Sequence, residues 1–374
     1  MSSLTISLRR SVACLGAWML ACLLAAPAWA QYALPEAPAP EDDPLFSLES
    51  PIGPIDYVTG RGLRLGKTGF TIGGFSTLEI DREEGEAGTI ELDSLSFLIS
   101  WQPFDFLQGF AEISIEDIVT VKTNGDRLRT DPKGVVERAY GDLVYSDALK
   151  LRVGKFQTPV GIWNLVPAEP FTWTATEPLL VDTAFDEHQT GVALHGSLFQ
   201  AARSLDYWVY GQVLDPLHPS SDPDAHDRSV GSRIRYGNAL GDWSVGSSFL
   251  ASERRSEWNF LGGLDGRWRY GPLELQGEFT IVRGEIPKRD LWGIYVQGVY
   301  DLEGFSPLLR GLHAVARYEH FDPREDGKRD ANLWNLGLTW YPTPFLILKA
   351  GYQLSDRQTD DVTRGLFTSI SVLF

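Results

Sequence analysis

Cysteine is almost missing from this chain. The 374 residues contain two, Cys14 and Cys22, both in the first thirty positions, so everything after them is without thiol chemistry or a disulfide framework. Sustained hydrophobicity is missing too: mean hydropathy is -0.14, which excludes a bundle of membrane helices. Positive charge is in deficit, with 33 Lys and Arg against 50 Asp and Glu and a net charge of -17. Removing residues 1–30, which include Arg9 and Arg10 and no acid, lowers that by two to -19. So acidic a chain excludes nucleic acid as a partner. Catalytic signatures are also absent. There is no Walker loop, no HExxH and no clustered Cys/His spacing, so neither a metal nor a cofactor is expected. The six histidines (His188, His195, His218, His226, His313 and His320) sit in no recognisable catalytic pattern. The adjacent Asp186, Glu187 and His188 read as a solvated turn, and an enzyme is not expected.

The N-terminus is informative. Arg9 and Arg10 precede an apolar run from Val12 to Ala26, and Ala28-Trp29-Ala30 forms a small-x-small cleavage site before Gln31. That is a secretory signal peptide over 1–30. A retained anchor helix and a lipoprotein site at Cys22 fit less well. Residues 31–66 form a proline-rich acidic lead-in, PEAPAPEDDPLFSLESPIGPI at its centre, which reads as flexible or polyproline-like.

From 67 to 374 the chain is all-β in texture, with segments of about ten residues alternating apolar and polar. Strands are expected at 68–81, 89–101, 107–119, 135–145, 149–156, 190–198, 205–214, 229–236, 243–251, 258–270, 273–282, 291–301, 311–321, 331–341, 345–355 and 365–374. Links after the even-numbered strands are mostly tight, such as QPFDF, YSDAL and YPTP. Those after the odd-numbered strands are mostly longer and charged. A soluble sandwich would show the alternation but not the two unlike rims. The pattern is that of a transmembrane antiparallel β-barrel of about sixteen strands in the outer membrane of a Gram-negative bacterium, with short periplasmic turns and long extracellular loops. An open sheet cannot cross a bilayer, because each unpaired backbone amide costs several kcal/mol in hydrocarbon. The last strand must therefore pair with the first.

Outward faces fit lipid. Leu95, Phe97, Ile99 and Trp101 share one face of a strand, and Trp334, Leu336, Leu338 and Trp340 share another, as do Ala350, Tyr352 and Leu354. Trp101, Tyr145, Tyr270, Tyr300, Trp340 and Tyr341 near strand ends would form interfacial girdles. The terminal GLFTSISVLF resembles the C-terminal signature of outer-membrane barrels, in which Phe374 would be read by the barrel-assembly machinery. The run LRVGKFQTPVGIWN, through Gly154, Lys155, Phe156, Pro159 and Gly161, with the preceding ERAYGDLVYSDALK, resembles the phosphate-selective porin O and P family. The resemblance implies a sixteen-stranded homotrimeric porin whose third extracellular loop folds into the lumen.

Independently of the resemblance, the strand count makes 157–189 the third long loop and the longest connection, which implies a function for it. Trp163, Phe171 and Trp173 make it too apolar to stay in water, so it is expected to fold inward and constrict the pore. A trimer latch or an external cap is the alternative. It contains Glu169, Glu177, Asp182, Asp186 and Glu187 and no Lys or Arg, which favours cations, whereas phosphate pores need Arg or Lys. Inward wall positions include Arg138, Arg152, Arg233, Arg235, Arg267, Arg269, Arg317 and Lys349, set against Glu112, Glu116, Glu274, Glu278 and Glu319. Facing the acidic loop they would set up a transverse field; paired wall charges that stiffen the barrel are the alternative. The expected function is passive diffusion of small hydrophilic solutes or ions, with weak cation preference or near neutrality. A sugar or an aromatic acid could stack on the loop aromatics. A non-conducting adhesin or scaffold, or a barrel hydrolase, is the rival. Outer-membrane lipid and lipopolysaccharide are the expected surroundings.

Overall fold

A computed structural model describes residues 44–123, 128–200, 202–212, 227–254, 256–284, 290–324, 330–356 and 364–374. The expected signal peptide, the lead-in up to residue 43, and His218 and His226 with the acidic stretch around them lie outside the described residues. Three short strands come first: β1 (Phe46–Leu48), β2 (Ile55–Val58) and β3 (Gly62–Leu65). Sixteen longer strands follow. They are β4 (Phe70–Glu83), β5 (Thr89–Phe104), β6 (Leu107–Lys122), β7 (Lys133–Ser146), β8 (Leu149–Gln157), β9 (His188–Gln200), β10 (Arg203–Gln212) and β11 (Arg228–Asn238), then β12 (Trp243–Arg254), β13 (Glu257–Tyr270), β14 (Leu273–Gly284), β15 (Leu291–Asp301), β16 (Leu312–Asp322), β17 (Ala331–Thr343), β18 (Leu346–Ser355) and β19 (Gly365–Leu373). Each expected segment coincides with one of these sixteen. With 9 to 16 residues, each strand is about as long as a tilted crossing of hydrocarbon demands, about 9–11 residues.

From β4 onward every strand pairs antiparallel with the next, and β19 returns to β4 from Gly365↔Glu83 to Leu373↔Phe75. The barrel is closed, so its spanning strands leave no ladder edge in lipid. The seam continues one residue further, where Phe374 N donates to Gly74 O and Gly74 N donates to Phe374 O, both at 2.9 Å. The Phe374 ring meets Phe97 edge-on at 6.0 Å. A Cβ at Gly74 would stand 2.2 Å from Ser96 O and 2.7 Å from the Phe374 ring. The seam needs glycine there.

Side chains are inverted relative to a soluble protein. Along β17, Trp334, Leu336, Leu338 and Trp340 are exposed while Asn335 and Thr339 are buried, and elsewhere Thr77, Ser96, Gln297, Arg317 and Lys349 are buried. Period-two alternation puts the polar set in the lumen and the apolar set against hydrocarbon. Of the expected girdle, Trp101, Tyr145, Tyr270, Tyr300 and Trp340 are exposed. Tyr341 is not part of it: one residue after outward Trp340, it points inward and meets Trp173 at 6.1 Å.

Two links depart from the expected rims. The connection between β15 and β16 is long, with 3-10 turns at Glu303–Phe305 and Pro307–Leu309, and that between β12 and β13 is only 255–256. From Phe46 the lead-in is a meander rather than a polyproline-like segment. β1 pairs with β2 and β2 with β3, and β3 joins β4 through Leu63↔Ile72 and Arg64↔Thr71. Residues 55–65 contain no proline, so they keep the amides that a ladder requires.

Candidate functional site

The connection from β8 to β9 spans 158–187. It is not structureless: it holds 3-10 turns at Trp163–Leu165 and Glu169–Phe171 and a short helix, α1 (Leu179–Ala184). Its two ends are tied together. Thr158 N donates to Glu187 O at 2.7 Å, Thr158 Oγ1 donates to Asp186 O at 2.6 Å, and Asn164 Nδ2 donates to Thr158 O at 2.8 Å. Apolar loop residues Val160, Trp163, Val181 and Phe185 then pack with inner-wall Tyr210, Leu250, Val282 and Tyr295. Burying these groups against an apolar patch inside the barrel removes them from lumenal water, worth about 1.5–3 kcal/mol for each large side chain.

Polar wall residues on six successive strands hold the loop. On β14, the Glu278 carboxylate accepts from Ile162 N at 2.8 Å and Trp163 N at 2.7 Å, and from Tyr295 OH of β15 at 2.6 Å. Gly161 makes this clasp possible: its φ is +64°, and a Cβ there would lie 1.7 Å from Glu278 Oε2. On β16, Arg317 is fully buried. It donates to Thr174 Oγ1 at 2.5 Å, Thr176 O at 2.7 Å, Thr176 Oγ1 at 2.8 Å and Glu177 O at 3.1 Å. Its neighbour Glu319 accepts from Leu179 N, the first residue of α1, at 2.8 Å. Thr339 Oγ1 of β17 donates to Trp173 O at 2.6 Å. Lys349 of β18 bonds to Glu169 O, to Glu169 Oε1 at 2.9 Å and to Thr172 Oγ1 at 2.8 Å, and Ser369 of β19 donates to Glu169 Oε1 at 2.6 Å.

This arrangement corrects the expected charge layout. All eight basic wall residues lie on the inner face, but they do not face an acidic loop across open water. Arg138 donates to Glu112 at 2.5 Å, Arg152 to Asp142 at 2.8 and 2.7 Å, and Arg233 to Asp265 at 2.6 and 3.0 Å. Arg235 pairs with Asp206 at 2.7 Å, and Glu274 takes Arg267 at 2.7 Å and Arg269 at 3.0 Å. Arg317 and Lys349 are covered by the loop they anchor. Buried charge is tolerated when it is paired and fully bonded, which is why the wall assembles in pairs.

The loop carboxylates divide. Glu169 is neutralised by Lys349. Burial, reinforced by Glu187 and Asp182, pushes the Glu177 carboxyl up to about 9, so it is neutral at pH 7. Burial together with Asp182 and Asp186 pushes Glu187 up to about 7. Asp182 is exposed, and Asp186 Oδ1 accepts from His188 N at 3.2 Å. The loop aromatics divide as well. Trp163 is buried, Trp173 is turned to the wall with Nε1 on Glu274 at 3.2 Å, and Phe171 is half exposed.

A second acidic set lies on β4 to β7; Glu112 and Glu116 are among the expected inward acids, whereas Glu91, Asp93 and Glu137 are not. Glu79 shares a local field with Asp93, Glu169, Asp81 and Glu91. Glu137 does so with Glu116, Glu112 and Lys155, and Glu187 reaches the same group through Glu116. Basic residues on and beside these strands include Arg138, bound to Glu112, Lys133, bound to Asp117 at 2.6 Å, and Lys155 of β8, whose Nζ donates to Val136 O at 2.6 Å. The sequence signal was the polar face of TLEID and IELD. It looks the same as any other lumenal stripe until the loop occupies the opposite sector.

Comparison with known proteins follows this geometry. The family described as phosphate-selective porin O and P matches residues 238–368, a stretch that does not include the run around Gly154 to Gly161. No curated protein matches the chain. Among solved structures, Salmonella typhi OmpF in complex with daunomycin superposes with a TM-score of 0.59 at 13% identity, covering 83% of this chain and 99% of that one. The outer-membrane channel DcaP of Acinetobacter baumannii gives 0.58 at 11%, covering 84% and 100%. The anion-selective porin from Comamonas acidovorans gives 0.55 at 11%, covering 82% and 99%. At these identities the likeness is one of fold: the chain has the closed sixteen-stranded barrel of the outer-membrane porins and resembles the phosphate-selective porin O and P family.

Proposed function

We propose that this porin-type barrel is a passive channel of a Gram-negative outer membrane, admitting small hydrophilic solutes and preferring cations. The observation that carries the reading is the docked third loop, hydrogen-bonded from Gly161's clasp on β14 to Ser369 on β19; on this reading it narrows the water path toward the sector that begins at β4. That sector holds Glu79, Asp81, Glu91, Asp93, Glu116 and Glu137. Loop residues Asp182, Asp186 and Glu187 complete it. Carboxylates at a narrow passage concentrate cations and exclude anions. The eight expected basic wall residues are held in ion pairs or lie beneath the loop, so phosphate selectivity does not follow from the family resemblance. A homotrimer fits the family resemblance and is part of the proposal, as are a cleaved signal peptide at 1–30 and recognition of Phe374 during barrel assembly.

The test is reversal potential and single-channel conductance of the refolded mature chain in planar bilayers under a salt gradient. Discrete steps with cation preference are expected. A sealed barrel without steps would overturn the reading in favour of a scaffold or adhesin.

A further inference from the structure

We infer that the inner wall of β6 to β10 carries a binding track for a small neutral carbohydrate, an inference that rests on the channel reading. Six inward side chains form it: Arg138, Phe110, Tyr140, Arg152, Trp208 and His195. The Arg138 guanidinium lies 4.9 Å from the Phe110 ring, and Phe110 meets Tyr140 at 5.5 Å. Arg152 lies over Tyr140 at 3.6 Å and over Trp208 at 5.1 Å, and Trp208 stacks on His195 at 4.0 Å with an interplanar angle of 3°. Strand register makes the row oblique. Phe110 is level with Tyr140, Asp142 with Arg152, and the neighbouring rung joins His195 to Trp208. Tyr140 and Trp208 also pack against the loop's apolar cluster, so the row borders the constriction.

The chemistry selects the ligand class. Arg138 is matched by Glu112 and Arg152 by Asp142, so the two guanidiniums supply no excess charge to hold an anion. Arg152 uses Nε and Nη2 on Asp142, leaving Nη1 with two N–H donors beside two ring faces. Ring faces with adjacent donors and acceptors, neutral overall, complement a sugar ring, which has an apolar C–H face and a rim of hydroxyls. Of the loop aromatics where a stacking solute was expected from the sequence, Trp163 is buried and Trp173 is held against the wall, which leaves only half-exposed Phe171.

The experiment uses the refolded mature chain in planar bilayers with sucrose, glucose and benzoate as probes. The sugars are expected to interrupt the open current. Trp208→Leu should weaken this up to about tenfold, as loss of one ring contact implies, and Trp208→Phe should preserve it. Tyr140→Leu should weaken it similarly and serves if Trp208→Leu does not fold. Interruption by benzoate alone overturns the sugar assignment, and undiminished interruption in both leucine variants overturns the track. Absence of current steps in the unmodified chain defeats the channel reading instead. In that case tryptophan fluorescence of the detergent-refolded chain titrated with sucrose still decides: saturable quenching lost in Trp208→Leu supports the track, and no saturable change overturns it.

Discussion

Substituting alanine for Gly161 puts the heaviest load on the loop dock for the smallest chemical change. The backbone there has φ +64°, and the new Cβ would lie 1.7 Å from Glu278 Oε2. Left-handed backbone costs an alanine about 1–2 kcal/mol. The clash also pushes Glu278 off the amides of Ile162 and Trp163, and hydrogen bonds to a charged group contribute about 1.5–3 kcal/mol each. Retaining one of the two, the docked loop loses roughly 3–4 kcal/mol, more than a hundredfold in the docked population. The barrel ladder is untouched. The variant should fold to the same heat-modifiable band on a gel, conduct with larger and noisier unitary steps, and become sensitive to protease within 161–184. A Gly161→Ala channel with unchanged conductance and protection would refute the claim that the Glu278 clasp seats the loop.

Other outcomes follow from the same geometry. Glu278→Gln keeps an acceptor for both amides and should keep wild-type conductance, whereas Glu278→Ala should open the pore; conductance histograms separate the two. Because the Glu187 carboxyl is raised from its ordinary 4.5 to about 7, the folded chain holds that proton more tightly than the unfolded one. Ionisation then subtracts stability as pH rises from about 4.5 to 7, with no further loss above. The same ionisation adds lumenal charge, so cation preference should climb between pH 6 and 8, and less steeply in Glu187→Gln, read from reversal potentials. Neutralising the β5 wall with Glu91→Gln and Asp93→Asn should reduce cation preference while leaving protease protection of the loop intact. Gly74→Val should block seam closure and abolish the heat-modifiable band.

Alternation made the strands legible from sequence. A period of two reports face, and all sixteen segments and the outward set such as Trp334, Leu336 and Leu338 could be read that way. It does not report which inward residue meets which. Arg317 and Lys349 have the same sequence signature as Arg235, yet two of them anchor the loop and the third pairs with Asp206 on the neighbouring strand. That distinction arises only when a loop tethered at β8 and β9 reaches across to β19. Glu91 and Asp93 escaped notice for the same reason, because the significance of a lumenal acid depends on which sector the loop leaves open. Glu177 misled differently. Its charge was counted from its residue type, but burial holds it neutral. The β1–β3 meander was hidden because Pro51 and Pro54 dominate the composition around strands only three or four residues long.

The central claim is an acidic water path beside a docked loop, and the most direct test is the zero-current potential of the refolded mature chain across a tenfold KCl gradient at pH 7.5. Steps whose reversal potential has the sign of potassium preference, reduced in the Glu91→Gln/Asp93→Asn variant, are the predicted result. Chloride preference that survives in that variant would contradict the account and assign the filter to the arginine wall.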